Sequence, residues 1–212
     1  MIIASKLGAG TSEAAAARAT GTRTRGSESR GNFGELPIGS MCVTDVQLKG
    51  RGRSKNVWES PKGCLLFSFT IQMEDGRVVP LVQYVVSLAM TEAVNDVCRR
   101  NRLGYAANQL QREDIISAFF NKFEVFHDIF LSQDFQALEN LYYKTWLHRG
   151  QRVVVQEKNE SEDQVSENVV TIQGLTRSGY LLAATDDGQI CELHPDGNSF
   201  DFFQGLVRRK LG

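Results

Sequence analysis

The sequence has no closely spaced cysteine pair, only four prolines and no surplus of either charge. Cys42, Cys64, Cys98 and Cys191 stand far apart in 212 residues, so neither a zinc knuckle nor a disulfide scaffold is written into them, and a reducing compartment is the default. The three histidines, His127, His148 and His194, share no metal-ligand spacing, so no metal site is expected. Lys and Arg number 24 against 25 Asp and Glu. That balance excludes nucleic-acid binding through bulk positive charge and leaves open only a local basic patch. Gln83, Ser87, Thr91 and Glu92 interrupt the most apolar stretch before it reaches the ~18–20 residues of a spanning helix, so no membrane segment is expected. There is no internal repeat. What remains is enough apolar material for a core, with 42% hydrophobic and 9% aromatic residues, in a length suited to one domain with a small appendage.

Residues 1–31 differ from the rest. They are rich in Ala, Ser, Thr and Gly, with Lys6, Arg18, Arg23, Arg25 and Arg30 against Glu13 and Glu28. Such a stretch buries too little apolar surface to offset its ordering entropy, and is expected to be either a disordered tail or a basic, hydroxyl-rich leader. Order is expected from about Phe33. Met41–Leu48 alternates with period two and reads as a strand; Cys64–Met73 is apolar nearly throughout and reads as a strand buried on both faces. Pro80 can open a helix without losing a hydrogen bond, and Leu81, Val85, Leu88, Ala89, Ala93 and Val97 continue it on one stripe to about Arg100. A second helix carries Ile115, Ile116, Phe119, Phe120, Phe123, Phe126 and Phe130; a third is expected from an N-cap at Asp134 through Leu138, Leu141, Tyr142 and Trp146. After His148 the period changes to two. Val153–Val155, Val169–Ile172, Tyr180–Ala184 and Ile190–Leu193 read as short strands, with turns at Arg177-Ser178-Gly179 and Asp186-Asp187-Gly188. Two strands before this β module are few for three apolar-faced helices, so the front half is short of sheet.

The segment GRGRSKNVWESPKG, Gly50–Gly63, carries the chemistry. Glycines let a backbone approach a ligand, and alternating arginines present fixed cationic forks to phosphate oxygens. An aromatic at the far end can cover a ring. The spacing is not that of a Walker A loop. An exposed basic loop, or one touching RNA, is the alternative reading of the same residues.

This loop, preceded by CVTDVQ (Cys42–Gln47), closely resembles the adenylate-binding loop of biotin–protein ligases, the holocarboxylase synthetase group, especially the plant forms. The resemblance continues through CLLFSF and VVPLVQYVVSLAMTEAV, then from about Arg112 through LYYKTWLH to VVTIQGLT and ELHPDGNSFDFF. It implies an α+β protein: a shortened mixed α/β catalytic domain over 32–149, lacking its central part near 99–111, and a small Src-homology-3-like β-barrel over 150–212. It also implies ATP-dependent activation of biotin to biotinoyl-AMP, with Mg²⁺ screening the phosphates, and transfer to a lysine on the biotin carboxyl-carrier domain of a carboxylase. By position, Gln47 matches a polar contact at the biotin end. Gly50, Arg51, Gly52 and Arg53 match the loop over the adenylate, and Trp58 matches the aromatic on the adenine side. The family operates in cytosol and, in plants, in plastids and mitochondria, so a cytoplasmic or plastid protein is expected.

The chain departs from the family pattern in its middle. The Lys-Trp-Pro-Asn-Asp strand, the Lys beside Gly-Gly-Ile and the Gly-x-Gly-x-Asn pattern do not occur; Cys98 is followed by RRNRLGYAANQL and then the Phe-rich helix. The family lysine that grips the biotin and adenylate carbonyl region has no counterpart, so no catalytic residue is assigned. Helices deprived of sheet are expected to expose apolar surface and to favour self-association. Other residues read more plainly: Cys42 and Cys64 as packed strand residues, Asp186 and Asp187 as turn chemistry, and Lys158–Ser166 and Arg208-Arg209-Lys210 as solvated charge. An inactive family member that binds a carrier domain through 150–212, or RNA through the loop, is the competing functional expectation.

Overall fold

A computed structural model of the chain describes residues 2–7, 36–51, 57–102, 110–158, 165–194, 198–201 and 205–209. The chain divides into two compact units, 1–76 and 77–212. It is an α+β protein.

The first unit is built around one strand, β5 (Leu66–Met73). Phe67, Phe69, Ile71 and Met73 alternate along it and are buried, and the Phe67 and Phe69 rings stack at 6.0 Å. The intervening residues run from half-buried Leu66 and Ser68 to exposed Gln72, so the expectation of burial on both faces is corrected: one face is closed and the other is partly open. β2 (Met41–Thr44) runs antiparallel to β5, from Met41 opposite Phe69 to Thr44 opposite Leu66. On the other side lies β1 (Ile2–Leu7), parallel to β5 from Ile2 opposite Ser68 to Leu7 opposite Met73. Nothing before Phe33 was expected to be an element; six residues without a period-two pattern form a strand here because a strand edge receives their backbone. The rest of the expected leader, to residue 31, lies outside the described residues, as do 32–35.

Thr70 is the buried polar residue of this unit, 7% exposed. Its hydroxyl donates to the Pro37 carbonyl at 2.7 Å and accepts the Ser40 N–H at 3.0 Å, while its backbone exchanges bonds with Gly39 N–H and the Ser40 carbonyl. One side chain thereby closes the turn that leads the chain into β2. The expected single strand Met41–Leu48 is broken at Asp45-Val46, where the Thr44 hydroxyl donates to the Val46 carbonyl at 3.1 Å. β3 (Gln47–Arg51) then pairs with β4 (Val57–Ser60), a strand hidden in what the sequence reads as loop. Pro61–Cys64 is a tight turn, closed by Cys64 N–H to the Pro61 carbonyl with Gly63 at φ 99°, so β5 starts at Leu66 rather than Cys64.

In the second unit, α1 (Val79–Arg100) and α2 (Arg112–Gln133) pack along their length. Leu81, Val82, Val85, Val86, Ala89 and Ala93 of α1 are almost completely buried, as is Phe119 of α2, with Phe123, Phe126 and Phe130 close behind. The expectation that these helices would be left with open apolar faces is therefore corrected. By length and composition Gly76–Arg100 does qualify as a membrane-crossing helix, contrary to the sequence expectation; burial in a core accounts for the same apolarity. Lys122 bridges to Asp96 across the two helices at 2.7 Å, and Arg99 adds a longer contact to it. Such partly exposed pairs contribute about 0.2–1 kcal/mol.

Asp134, expected to cap α3, instead terminates α2. It sits at φ 68°, its N–H donates to the Phe130 carbonyl, and its carboxylate accepts the Phe135 N–H at 2.6 Å. α3 is Gln136–Tyr143, so Trp146 lies beyond it rather than on its stripe. The C-terminal strands are β6 (Arg152–Lys158), β7 (Val165–Leu175), β8 (Leu181–Thr185), β9 (Ile190–Leu193), β10 (Asn198–Asp201) and β11 (Leu206–Arg209). They form one sheet in the order β10-β11-β6-β7-β8-β9, parallel only between β11 and β6. Closure into a Src-homology-3-like barrel is not among the pairings of the described residues. Val153, Val155, Val170, Ile172, Ala183, Leu193 and Val207 form its core, with Trp146 packed against them. Arg208 and Arg209, expected as a solvated end, are strand positions of β11, and Lys158 belongs to β6; residues 159–164 and Lys210 lie outside the described residues.

Thr70→Val keeps the shape of the side chain and leaves the Pro37 carbonyl and Ser40 N–H only their bond to each other, at 3.1 Å. The unfolding free energy should fall by about 0.5–1.5 kcal/mol. Urea denaturation measures it, with Thr70→Ser recovering most of the loss.

Candidate functional site

The site foreseen in the sequence falls on the β3–β4 hairpin. Gln47 pairs with Ser60, Gly50 with Trp58 and Arg51 with Val57. The register slips between Gln47 and Gly50, which marks a β-bulge. Cross-strand partners share a face, and Trp58 and Ser60 are two apart on β4. The bulge therefore places Gln47, Gly50 and Trp58 on one face of the hairpin and Arg51 with Val57 on the other. In a regular strand Gln47 and Gly50, three residues apart, would lie on opposite faces. Three of the foreseen positions are thus brought together, and Arg51 is set across from them as the last residue of β3. Gly52 and Arg53 belong to 52–56, which joins the two strands and lies outside the described residues.

Gln47 is half-buried and Gly50 fully buried, whereas Leu48 and Val57 are 68% and 67% exposed. A buried glycine opposite a tryptophan position leaves backbone where a side chain would otherwise fill the space. The hairpin thus ends in a connection bearing Arg53 and Lys55, flanked by Arg51 and exposed apolar residues. Side chains of the arginine and lysine type suit phosphate oxygens. The hairpin itself was missed in the sequence; VWES, bounded by SPKG, is the strand signal that was available.

Among the described residues no group of three His, Cys, Asp or Glu side chains could hold a metal ion. His148 Nδ1 lies 2.8 Å from the Gln151 side-chain oxygen, and His194 packs on the Tyr180 ring 4.0 Å away and reaches Glu192 at 3.4 Å. His127 stacks on Phe123, and its Nε2 is buried with no hydrogen-bond partner. Burial holds its pKa below the ordinary 6.5, against a smaller pull upward from Asp128. Cys42 is exposed, which corrects its reading as a packed strand residue: β2 lies at the rim of the described sheet. Cys64 is half-buried in the turn before β5. Asp186 pairs with Arg152 at 2.8 Å, and Asp187 accepts from the Thr185 hydroxyl, which lowers its pKa. Both are turn residues, as read from the sequence.

Residues 16–118 match the biotin/lipoate A/B protein ligase family, and residues 148–205 match the biotin protein ligase C-terminal domain. Biotin–protein ligase 2 of Arabidopsis thaliana is 53% identical over 240 residues, spanning 85% of this chain and 72% of that protein. Biotin–protein ligase 1, chloroplastic, of the same plant is 52% identical, over 85% of this chain and 65% of that protein. A solved biotin protein ligase from Aquifex aeolicus, in complex with biotin and ATP, superposes with a TM-score of 0.56 over 74% of this chain and 87% of its own, at 18% identity. That likeness establishes the fold. The chain belongs to the biotin–protein ligase family, a family of ligase enzymes. A 240-position alignment that occupies 85% of 212 residues leaves about 60 positions with no residue in this chain, in keeping with the absent central motifs.

His127 gives a pH dependence. Its folded pKa lies below its unfolded value, so the unfolded state binds the proton more readily. Stability is intact above about pH 6.5 and declines as pH falls from there toward the lower folded value. His127→Phe should flatten that part of the profile; urea midpoints compared at pH 7.5 and 5.5 measure it.

Proposed function

We propose that the chain is a biotin–protein ligase acting in two steps. In the first, a carboxylate oxygen of biotin attacks the α-phosphorus of ATP, forming the acyl–phosphate bond of biotinoyl-AMP and expelling pyrophosphate. In the second, a lysine amine on a carboxyl-carrier domain attacks the acyl carbon, AMP leaves, and the amine proton passes to solvent. The observation that carries this reading is the β3–β4 hairpin, which gathers Gln47, Gly50 and Trp58 on one face and bears the Gly-Arg connection at its tip. Arg51 and Arg53 would offset the charge developing at the phosphate, and the loop would keep water from an anhydride that hydrolyses readily. Magnesium would arrive on the triphosphate, which is how that ion is commonly held. The C-terminal sheet would help present the carrier domain. The exposed apolar residues Leu36, Ile38, Met41 and Val43, leading into and along β2, are where a second copy would associate. The chloroplastic relative supports a plastid location beside a cytoplasmic one.

A second reading has its own observation. About 60 positions of the Arabidopsis relative are missing here, and the family lysine beside the carbonyl region is among the motifs the sequence lacks. On that reading the chain is a shortened family form that binds a carrier domain, or weakly RNA, without turnover.

Biotin transfer to a carrier domain, detected with streptavidin in the presence of ATP, separates the two. Pyrophosphate release without transfer would mean that only the first step survives. Replacing Arg51 and Arg53 together with Ala should lower the rate by about a hundredfold or more, and an unchanged rate would remove the loop from the mechanism.

A further inference from the structure

We infer that Tyr143, seconded by Tyr84, is a positioning residue that joins the C-terminal sheet to the helices and thereby sets where a carrier domain is held for transfer. This rests on the ligase reading above for its second half and on geometry alone for its first.

The join is made at the far end of β7. β6 accompanies β7 only to Thr171, and beyond that the register with β8 slips between Ile172 and Gly174. There the Leu175 N–H donates to Tyr143 Oη at 2.8 Å, and the same hydroxyl donates to Glu139 at 2.8 Å. Both hydrogen-bonding roles of the phenol are thus engaged, one toward β7 and one toward its own helix. Gly174 is what allows the approach: a Cβ there would stand 2.7 Å from Tyr143 Oη and 3.2 Å from its ring carbon. The Arg149 guanidinium covers the ring at 5.1 Å.

Five residues on from Gly174, the turn into β8 is held a second time. Tyr84 Oη, from α1, donates to the Gly179 carbonyl at 2.8 Å. Gly179 has φ 79°, and a Cβ on it would come within 3.2 Å of Leu81. Between the two anchors the Tyr84, Phe135 and Tyr142 rings pack edge and tilt at 5.4–5.9 Å. Burial pushes the Tyr143 hydroxyl up to about 12 and raises Tyr84 as well, so both phenols stay protonated at neutral pH. A stretch of six residues, Gly174–Gly179, thus receives α1 and α3 through two directional bonds, one position where a Cβ would collide with Tyr143 and one whose positive φ favours glycine. A sheet held so has one orientation toward the helices; released at Tyr143 it can swing. The carrier domain is a protein-sized acceptor whose lysine must reach a fixed acyl group, so the swing would weaken its docking and leave the small-substrate step alone.

The test uses the full chain with Tyr143→Phe and, separately, Gly174→Ala. Three quantities are read: pyrophosphate exchange with biotin and ATP, KM and kcat for a carrier domain, and hydrogen exchange at the Leu175 amide. Expected are a first step within about twofold of wild type, a KM for the carrier raised about tenfold with kcat retained, and Leu175 exchange accelerated about tenfold or more. Unchanged exchange in both variants would overturn the join. Loosened exchange with an unchanged KM would overturn its role in positioning, and so would an equal loss in both steps. Should wild type fail the first step, the ligase reading and the carrier half of the inference fall together, while amide exchange still upholds or overturns the join.

Discussion

The hydrogen-bonded edges of β5 are the constraint from which the first unit follows. A central strand needs a backbone partner on each side, and β5 finds them from opposite ends of the unit: β2 antiparallel and β1 parallel. The antiparallel partner is held by the Thr70 hydroxyl as well as by the ladder, because the turn at Pro37–Ser40 closes on it. That turn fixes where β2 begins, the break at Asp45-Val46 fixes where β3 begins, and the bulge after Gln47 fixes which residues share a face. A hydroxyl buried in a strand thus acts, through three short pieces of backbone, on the placement of the candidate ligand-binding positions.

The second unit answers a different demand. Two 22-residue helices with apolar stripes bury them against each other, the Phe-rich side of α2 included. Aromatic rings serve here because each covers a large area with few rotatable bonds. The cost is that the one polar ring among them, His127, is left with an unsatisfied nitrogen. The same economy recurs at the end of α3, where the Tyr142, Tyr143 and Trp146 rings pack at a tilt, 5.5–5.9 Å apart.

What was legible in the sequence was whatever repeats within one element. The stripe from Leu81 to Val97 gave α1 almost to the residue, and Ile190–Leu193 is a strand in both descriptions. What was not legible depends on a partner. β1 has little strand signal of its own, and β4 is four residues long; each exists through pairing with a strand elsewhere. β10 and β11 escaped for the same reason. Asp134 misled because the same side chain that caps a helix start also stabilises the left-handed residue that ends one. Of the candidate site, residue identity was readable from the Gly-Arg alternation and from the family resemblance. The face each residue occupies was not, since a single-residue bulge exchanges the faces and leaves no mark on periodicity in so short a strand.

The deficit of about 60 positions against the Arabidopsis relative is compatible with so much retained fold because the retained pieces close on themselves. Every rung of the hairpin lies between Gln47 and Ser60, and every rung of the C-terminal sheet between Arg152 and Arg209. Among the described residues, the ring cluster that supports that sheet draws on α1, on α3 and on Phe135 and Trp146 beside it. Excision from the middle of a chain removes the contacts that the excised strands made and spares ladders whose partners are near in sequence, since closing a shorter loop costs less entropy, not more. The elements best able to survive the loss are therefore the hairpin and the C-terminal sheet.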